Sequence, residues 1–175
     1  MNLITPHGAA SLTPLIATGQ RLADLEAESA TLPSITVSSA AAANAVMLGA
    51  GYFTPLKGYM NRADALSVAT DLKTTDDLFW PVPVLNMVER FDGNVGDRIA
   101  LRDPNVDGAP VIAVMDVTGI ECLSDDDMTL MTREVFGTND PNHPGVATFN
   151  AQGQVLLSGP IEVLNYSYFQ SDFPS

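Results

Sequence analysis

The clearest pattern of hydrophobic and polar positions in the chain predicts a β-hairpin. Residues alternate from Arg98 to Arg102, with Ile99 and Leu101 on one face, which is typical of a half-buried strand. The stretch from Val111 to Val117 is almost wholly apolar, as expected of a strand covered on both faces. Asp103 to Gly108 is rich in Asp, Pro, Asn and Gly, which form turns. We therefore expect the rest of the fold to gather around this hairpin.

Helical periodicity and capping residues predict four helices, and runs of β-formers predict further strands. The predicted helices are Gln20 to Ser29, Ala40 to Leu48, Asn61 to Leu72 and Ser124 to Gly137. The further predicted strands are Ser34 to Ser38, Trp80 to Val88, Val155 to Leu157 and Ile161 to Leu164, the last two being separate strands or one kinked strand. On the third helix, Leu66, Ala69 and Leu72 are expected to face inward. Strands mixed with helices, without a linker or internal repeat, predict a single α+β domain over residues 1–175.

Composition and charge indicate which classes of partner are not expected. The chain has 175 residues and a net charge of −13, from 21 acidic and eight basic residues. Such a surface repels nucleic-acid phosphates and anionic lipids, so neither nucleic acid nor membrane is an expected partner. A single cysteine, Cys122, suits a reducing compartment, and no apolar run reaches the length that spans a bilayer. The N-terminus does not resemble a signal peptide, so we expect a cytoplasmic protein.

Two polar loops are the candidates for chemistry. Asp103 to Gly108 matches the first half of a calcium loop, but the glutamate required at position 12 would fall on Val114, which favours a structural turn. The second loop contains Asn139, Asp140, Asn142 and His143 between prolines. These residues could form an acid/base site or the rim of a ligand site, although a solvent-facing or hydrogen-bonded histidine is the more common case. Phosphate-binding glycine loops and nucleophile motifs are absent from the sequence.

Five segments occur in an order that resembles a known enzyme family. They are Asn44 to Met60, Trp80 to Val84, Gly96 to Pro104, Phe136 to Gly145 and Ser158 to Ile161. Together they are similar to the N-terminal domain of ATP sulfurylase, also called sulfate adenylyltransferase. The resemblance implies a PUA-like fold, a mixed β-barrel with helices packed around it. It also implies a parent reaction in which ATP and sulfate give adenosine 5′-phosphosulfate and pyrophosphate, with ATP and magnesium bound by the full-length enzyme.

The resemblance carries over no catalytic residue. That family's Gln-x-Arg-Asn-Pro, His-x-x-His and Gly-Arg-Asp-His segments lie in a following catalytic domain, and none occurs in this sequence. We therefore expect this chain to be a non-catalytic domain, inactive alone, that supports a catalytic domain within a homo-oligomeric full-length enzyme. Residues from about 165 to 175 would lead into that domain. The loop Asn139 to His143 is our candidate for the rim of a shared cleft. Asp97 and Asp103, next to Arg98 and Arg102, indicate salt bridges or hairpin support for these arginines instead of anion binding.

Two other classes of function remain open from the sequence. PUA-like folds often bind RNA, but a basic stripe is needed for that and the eight basic residues are scattered. A stand-alone hydrolase or metal protein using Asp140 and His143 is the other alternative.

Overall fold

The computed structural model describes residues 4–165, within which five helices pack around one curled, mixed sheet of seven strands. The helices are α1 (Gly19–Ser29), α2 (Ser39–Gly49), α3 (Arg62–Asp71), α4 (Asp125–Phe136) and α5 (Pro144–Asn150). The strands are β1 (Ser34–Thr36), β2 (Gly58–Tyr59), β3 (Met87–Val88), β4 (Arg98–Arg102), β5 (Val111–Asp116), β6 (Gly119–Cys122) and β7 (Val155–Val163). This confirms the predicted α+β class.

The predicted hairpin is present at the centre of the sheet. Strands β4 and β5 pair antiparallel, with Ile99 opposite Met115, and β1 adds to the outer edge of β4 in parallel. One detail of the pattern was wrong, because Ala100 is fully buried like its neighbours. The second face of the hairpin is covered by α1, whose Leu25 packs in a small cluster with Val114. The central residues of β4 are therefore buried on both faces of the strand.

Strand β7 connects the two halves of the sheet. Its first half pairs with β3 and β6, whereas its second half pairs with β5, and β2 joins it at Gly159 and Pro160. Gly159 has a φ of +145°, and a Cβ there would lie 2.0 Å from the carbonyl oxygen of Asp116. Glycine is therefore required at this bend. Of the two alternatives predicted for this region, the structure shows one kinked strand.

Capping explains the helix boundaries. Asn61 and Ser124 accept hydrogen bonds from Asp64 N and Asp127 N, as the sequence predicts, and the second cap is reciprocal because the Asp127 carboxylate accepts from Ser124 N. At the other end of α4, Gly137 adopts a left-handed φ of +71°. The prediction for Leu72 was wrong. This residue is the left-handed cap that ends α3, and its side chain is exposed.

One predicted strand needs correction, and one predicted segment lies outside the residues that the structure describes. The strand predicted from Trp80 to Val88 is reduced to Met87–Val88, since Pro81 and Pro83 lack the N–H groups that a ladder needs. The lead-in predicted at about residues 165–175 lies outside the described residues, apart from Asn165. Within residues 4–165 no helix is both long and apolar enough to cross a membrane.

Candidate functional site

The predicted loop Asn139 to His143 is exposed and internally organised. Asp140 Oδ1 accepts hydrogen bonds from Asn142 N at 2.9 Å and from Asn142 Nδ2 at 3.0 Å. These donors hold the pKa of the Asp140 carboxyl below its usual value, and the nearby charge of His143 adds to the effect. Asn139 Oδ1 accepts from Thr132 Oγ1 at 2.7 Å, which ties the loop to the end of α4. The loop is thus a fixed turn that presents polar groups to solvent.

His143 stands where the loop becomes helix α5. Its carbonyl oxygen accepts from Ala147 N at 3.0 Å, its own N–H donates to Asp140 O at 3.0 Å, and Pro144 follows at the first helical position. The imidazole lies tilted against the ring of Phe136, with 5.8 Å between ring centroids. Asp140 and His143 are therefore brought together mainly by backbone geometry. Sequence analysis missed α5, although a proline at the first helical position was a usable signal.

An apolar groove of about 450 Å³ opens beside this loop. It runs between the end of α4, helix α5 and the irregular segment before β3. The apolar part of its lining includes Val82, Leu85, Val135, Phe136, Pro144 and Phe149. Phe136 and Phe149 meet edge to face at 6.1 Å, and Gly145 allows α5 to approach, since a Cβ there would lie 2.7 Å from the ring of Phe136. No pattern in the sequence predicts that these residues share a surface.

The amide side chains in the groove already have partners within the domain. Asn44 Nδ2 donates to Leu85 O at 3.3 Å, and Gln152 Oε1 accepts from Ser38 Oγ at 2.7 Å. None of the described residues that line the groove carries a charge. The groove is therefore suited to apolar side chains, and its chemistry does not fit the triphosphate of a nucleotide or a sulfate ion.

The two hairpin arginines are structural, as predicted, although the partners named for Arg98 were wrong. Its guanidinium bonds to Glu28, Asp116 and Glu162 at 2.5, 2.6 and 2.7 Å, while Asp97 instead accepts from Asn94 N. Arg21 of α1 also pairs with Glu162. We call the five charged residues that pair in this way the ion cluster; they lie on α1, β4, β5 and β7 and are Arg21, Glu28, Arg98, Asp116 and Glu162.

The ion cluster perturbs its members in the expected directions. Partial burial lowers the pKa of Arg98, but its three carboxylate partners more than reverse this and raise the pKa above its usual value. Hydrogen bonding to Arg21, then to Arg98, lowers the pKa of Glu162 to about 2. The second arginine, Arg102, donates to Ser34 Oγ and to Ala109 O, both at 3.0 Å. These contacts lie within the domain and tie helix and strands together.

The loop from Asp103 to Gly108, which matches half of a calcium loop in sequence, is organised by its own hydrogen bonds. Asp103 is buried, and its Oδ1 accepts from the backbone and the side chain of Asn105, both at 2.8 Å. Val114 lies inside β5 with its side chain in the core. The loop is thus built as a hairpin turn. Among residues 4–165, no cluster of three or more His, Cys, Asp or Glu side chains is arranged so that it could hold a metal ion.

The fold agrees with comparison to known families. A model of the PUA-like domain matches residues 4–166. The chain belongs to this family, which confirms the PUA-like fold expected from the resemblance.

Two curated proteins with a stated activity are similar to this chain over nearly its whole length. The chain is 58% identical over 174 residues to a sulfate adenylyltransferase of Alcanivorax borkumensis, covering 98% of this chain and 43% of that protein. It is 57% identical to a sulfate adenylyltransferase of Allochromatium vinosum, covering 98% of this chain and 44% of the relative. The chain therefore spans less than half the length of these relatives.

A solved structure supports the fold alone. The chain superimposes with a TM-score of 0.66 on part of a protein described as a hexameric APS kinase from Thiobacillus denitrificans, at 23% sequence identity. The match covers 93% of this chain and 27% of the other.

Proposed function

We propose that this chain is the non-catalytic N-terminal domain of a sulfate adenylyltransferase and that it supports a catalytic domain lying outside this sequence. The observation that carries the proposal is the near-complete match, at 58% identity, to less than half of a relative with that name. The parent reaction would form adenosine 5′-phosphosulfate and pyrophosphate from ATP and sulfate, with ATP and magnesium bound by the catalytic domain.

The chemistry of the chain supports this division of labour. Phosphoryl transfer requires several cationic or amide donors that converge on the polyanionic substrates. Arg98 and Arg21 are engaged in the ion cluster, Arg102 is engaged by Ser34 and Ala109, and the groove lining is uncharged. We expect no turnover by the chain alone. A homo-oligomeric full-length enzyme remains a prediction of the resemblance, and a cytoplasmic location remains a prediction from the single cysteine and the N-terminal sequence.

A chimera tests the proposal. The chain would replace the matching stretch of the Alcanivorax borkumensis relative, and pyrophosphate-dependent formation of ATP from adenosine 5′-phosphosulfate would be measured. We expect activity from the chimera and none from the 175-residue chain. An inactive chimera that is nevertheless folded by circular dichroism would contradict the proposal, and turnover by the chain alone would show that it contains an active site.

Within the chimera, the loop Asn139 to His143 would rim the substrate cleft. We expect His143→Ala to change the Michaelis constants a few-fold while leaving the melting temperature nearly unchanged, because the imidazole is exposed. His7→Ala is the matched control, since His7 is also exposed and lies far along the chain from the loop. Unchanged kinetics for both variants would assign the loop a structural role.

A further inference from the structure

The apolar groove has no occupant within the described residues. One of its walls remains in solvent, as Val82 is 44% exposed, while Phe136 and Phe149 are only partly covered. Exposing a continuous apolar surface to water is unfavourable, and such a surface on a folded domain usually marks a contact site.

We propose that the groove receives apolar side chains from the region that follows this domain in the longer protein, and so forms the contact between the two domains. This inference rests on the proposed function. The first argument for it is length, because the similar relatives of Alcanivorax borkumensis and Allochromatium vinosum are more than twice as long as the stretch they share with this chain. A large part of the longer protein is thus available as a partner in cis, at a high effective concentration.

Charge argues against a second copy of the chain as the occupant. Each copy carries a net charge of −13, so two copies repel each other at long range. The lining offers no charged residue among those described that could offset this repulsion by pairing across the contact. A segment of another domain does not have to carry the same net charge.

The lining also argues against a polar small molecule. Polar ligands are oriented by a few convergent hydrogen-bonding groups. Here Asn44 and Gln152 direct polar atoms to Leu85 O and Ser38 Oγ inside the domain. What the groove presents is the carbon surface of two phenylalanines and several aliphatic residues, and such a surface is best matched by apolar side chains.

The position of the groove connects it to the candidate loop. Phe136 ends α4 immediately before that loop, and Pro144 begins α5 immediately after it. The ring of His143 lies against Phe136 at the edge of the groove. A domain seated in the groove would therefore bring its own residues beside Asn139 to His143. Docking here would explain how a non-catalytic loop comes to rim a catalytic cleft.

Cysteine footprinting tests the inference. Cys122 is exposed, so it is first replaced by Ser, and then Val82→Cys is introduced as the probe. Val95→Cys is the matched control, because Val95 is an exposed valine, at 61%, that does not line the groove. The alkylation rate with iodoacetamide is measured in the 175-residue chain and in the chimera. We expect the rate at position 82 to fall about tenfold or more in the chimera, with position 95 unchanged.

Each outcome of this experiment either supports or overturns the groove as the contact between the two domains. Equal rates at position 82 in the chain and the chimera would overturn the inference, and so would a rate in the isolated chain that falls as its concentration rises, which would identify a second copy as the occupant. An active chimera whose position 82 is unprotected would leave the proposed function standing and reject the groove. Protection without activity in a folded chimera would leave the groove standing and reject the proposed function.

Discussion

The ion cluster lies on the sheet and α1, whereas the apolar groove lies among α4, α5 and the irregular segment before β3, and the two are completed in opposite ways. In the ion cluster, Arg98 meets three carboxylates contributed by α1, β5 and β7, so its charges find partners inside the chain. In the groove, Phe136 and Phe149 meet each other, but much of the remaining apolar surface is open. The charges of the ion cluster are thus paired inside the chain, whereas the groove leaves an apolar surface for contact with something else. Substitutions in the two regions should therefore have different costs.

The largest effect is expected at Gly159, where β7 passes from its pairing with β6 to its pairing with β5. Gly159→Ala would place a Cβ 2.0 Å from the carbonyl oxygen of Asp116 at a φ of +145°, so the pairing of β7 on both sides of this bend should be disrupted. We expect a loss of about 4 kcal/mol or more in the free energy of unfolding, measured by urea denaturation. Gly96→Ala is the control, since a Cβ at Gly96 meets open space at a φ of +99°. Its expected cost is about 2 kcal/mol, and equal losses would contradict the steric argument.

A smaller loss is expected when the ion cluster is broken. Arg98→Met removes the central cation and leaves Glu28, Asp116 and Glu162 close together, so we expect a loss of about 2 kcal/mol in the free energy of unfolding by urea. The figure is moderate because the cluster is partly solvated. Arg90→Met is the control, because its pair with Asp92 is highly exposed and should contribute about 0.5 kcal/mol or less. Similar losses for the two variants would show that the cluster adds nothing beyond an ordinary surface pair.

The contribution of the ion cluster to the free energy of unfolding should depend on pH. The pKa of Glu162 is lowered to about 2 in the folded chain, so its ionised form stabilises the fold above its ordinary pKa, and this contribution is lost as the pH falls toward 2. Glu162→Gln should therefore cost about 1 kcal/mol near pH 7, after allowance for solvent screening of a side chain that is 37% exposed. The difference from the unsubstituted chain should shrink between about pH 4.5 and pH 2. A difference in urea midpoint that stays constant across this range would contradict the assignment.

The smallest effect is expected in the groove. Val82→Asp should change the free energy of unfolding of the isolated chain by no more than about 0.5 kcal/mol, because Val82 is already half exposed. Val146→Asp is the contrasting control, since Val146 lies on the buried side of α5 with 1% exposure. Its buried, unpaired carboxylate should cost several times more. If Val82→Asp destabilised the isolated chain as strongly, the groove would be part of the core and not a contact surface.

Local signals in the sequence were enough to predict much of the fold. The hairpin, the Asn61 and Ser124 caps and the glycine that ends α4 each depend on neighbouring residues, and these predictions were confirmed, although the alternation predicted within β4 was not. Strands β2 and β6, which the sequence pattern did not predict, are two and four residues long, and each pairs with β7. Their pairing depends on contacts distant in sequence, which a period of two over so few residues does not reveal.

The candidate site was predictable only in part. The polar loop was found from its composition, and Asp140 and His143 do lie in one turn. The groove beside it was missed because its residues come from four separate stretches of the chain, and packing brings them together. Helix α5 is seven residues long and depends on that packing, since so short a helix is marginal by itself.

The position of β7 in the chain has a consequence for folding during synthesis. Strands β2, β3 and β6 each pair with β7, the last strand to leave the ribosome among those described. The hairpin and β1 can assemble earlier, because their pairing partners lie within the first 116 residues. Strands β2, β3 and β6, by contrast, must wait until β7 has been synthesised, because their pairing partners lie at or beyond Val155. Until β7 emerges, the nascent chain exposes unpaired strand edges to chaperones and to other chains.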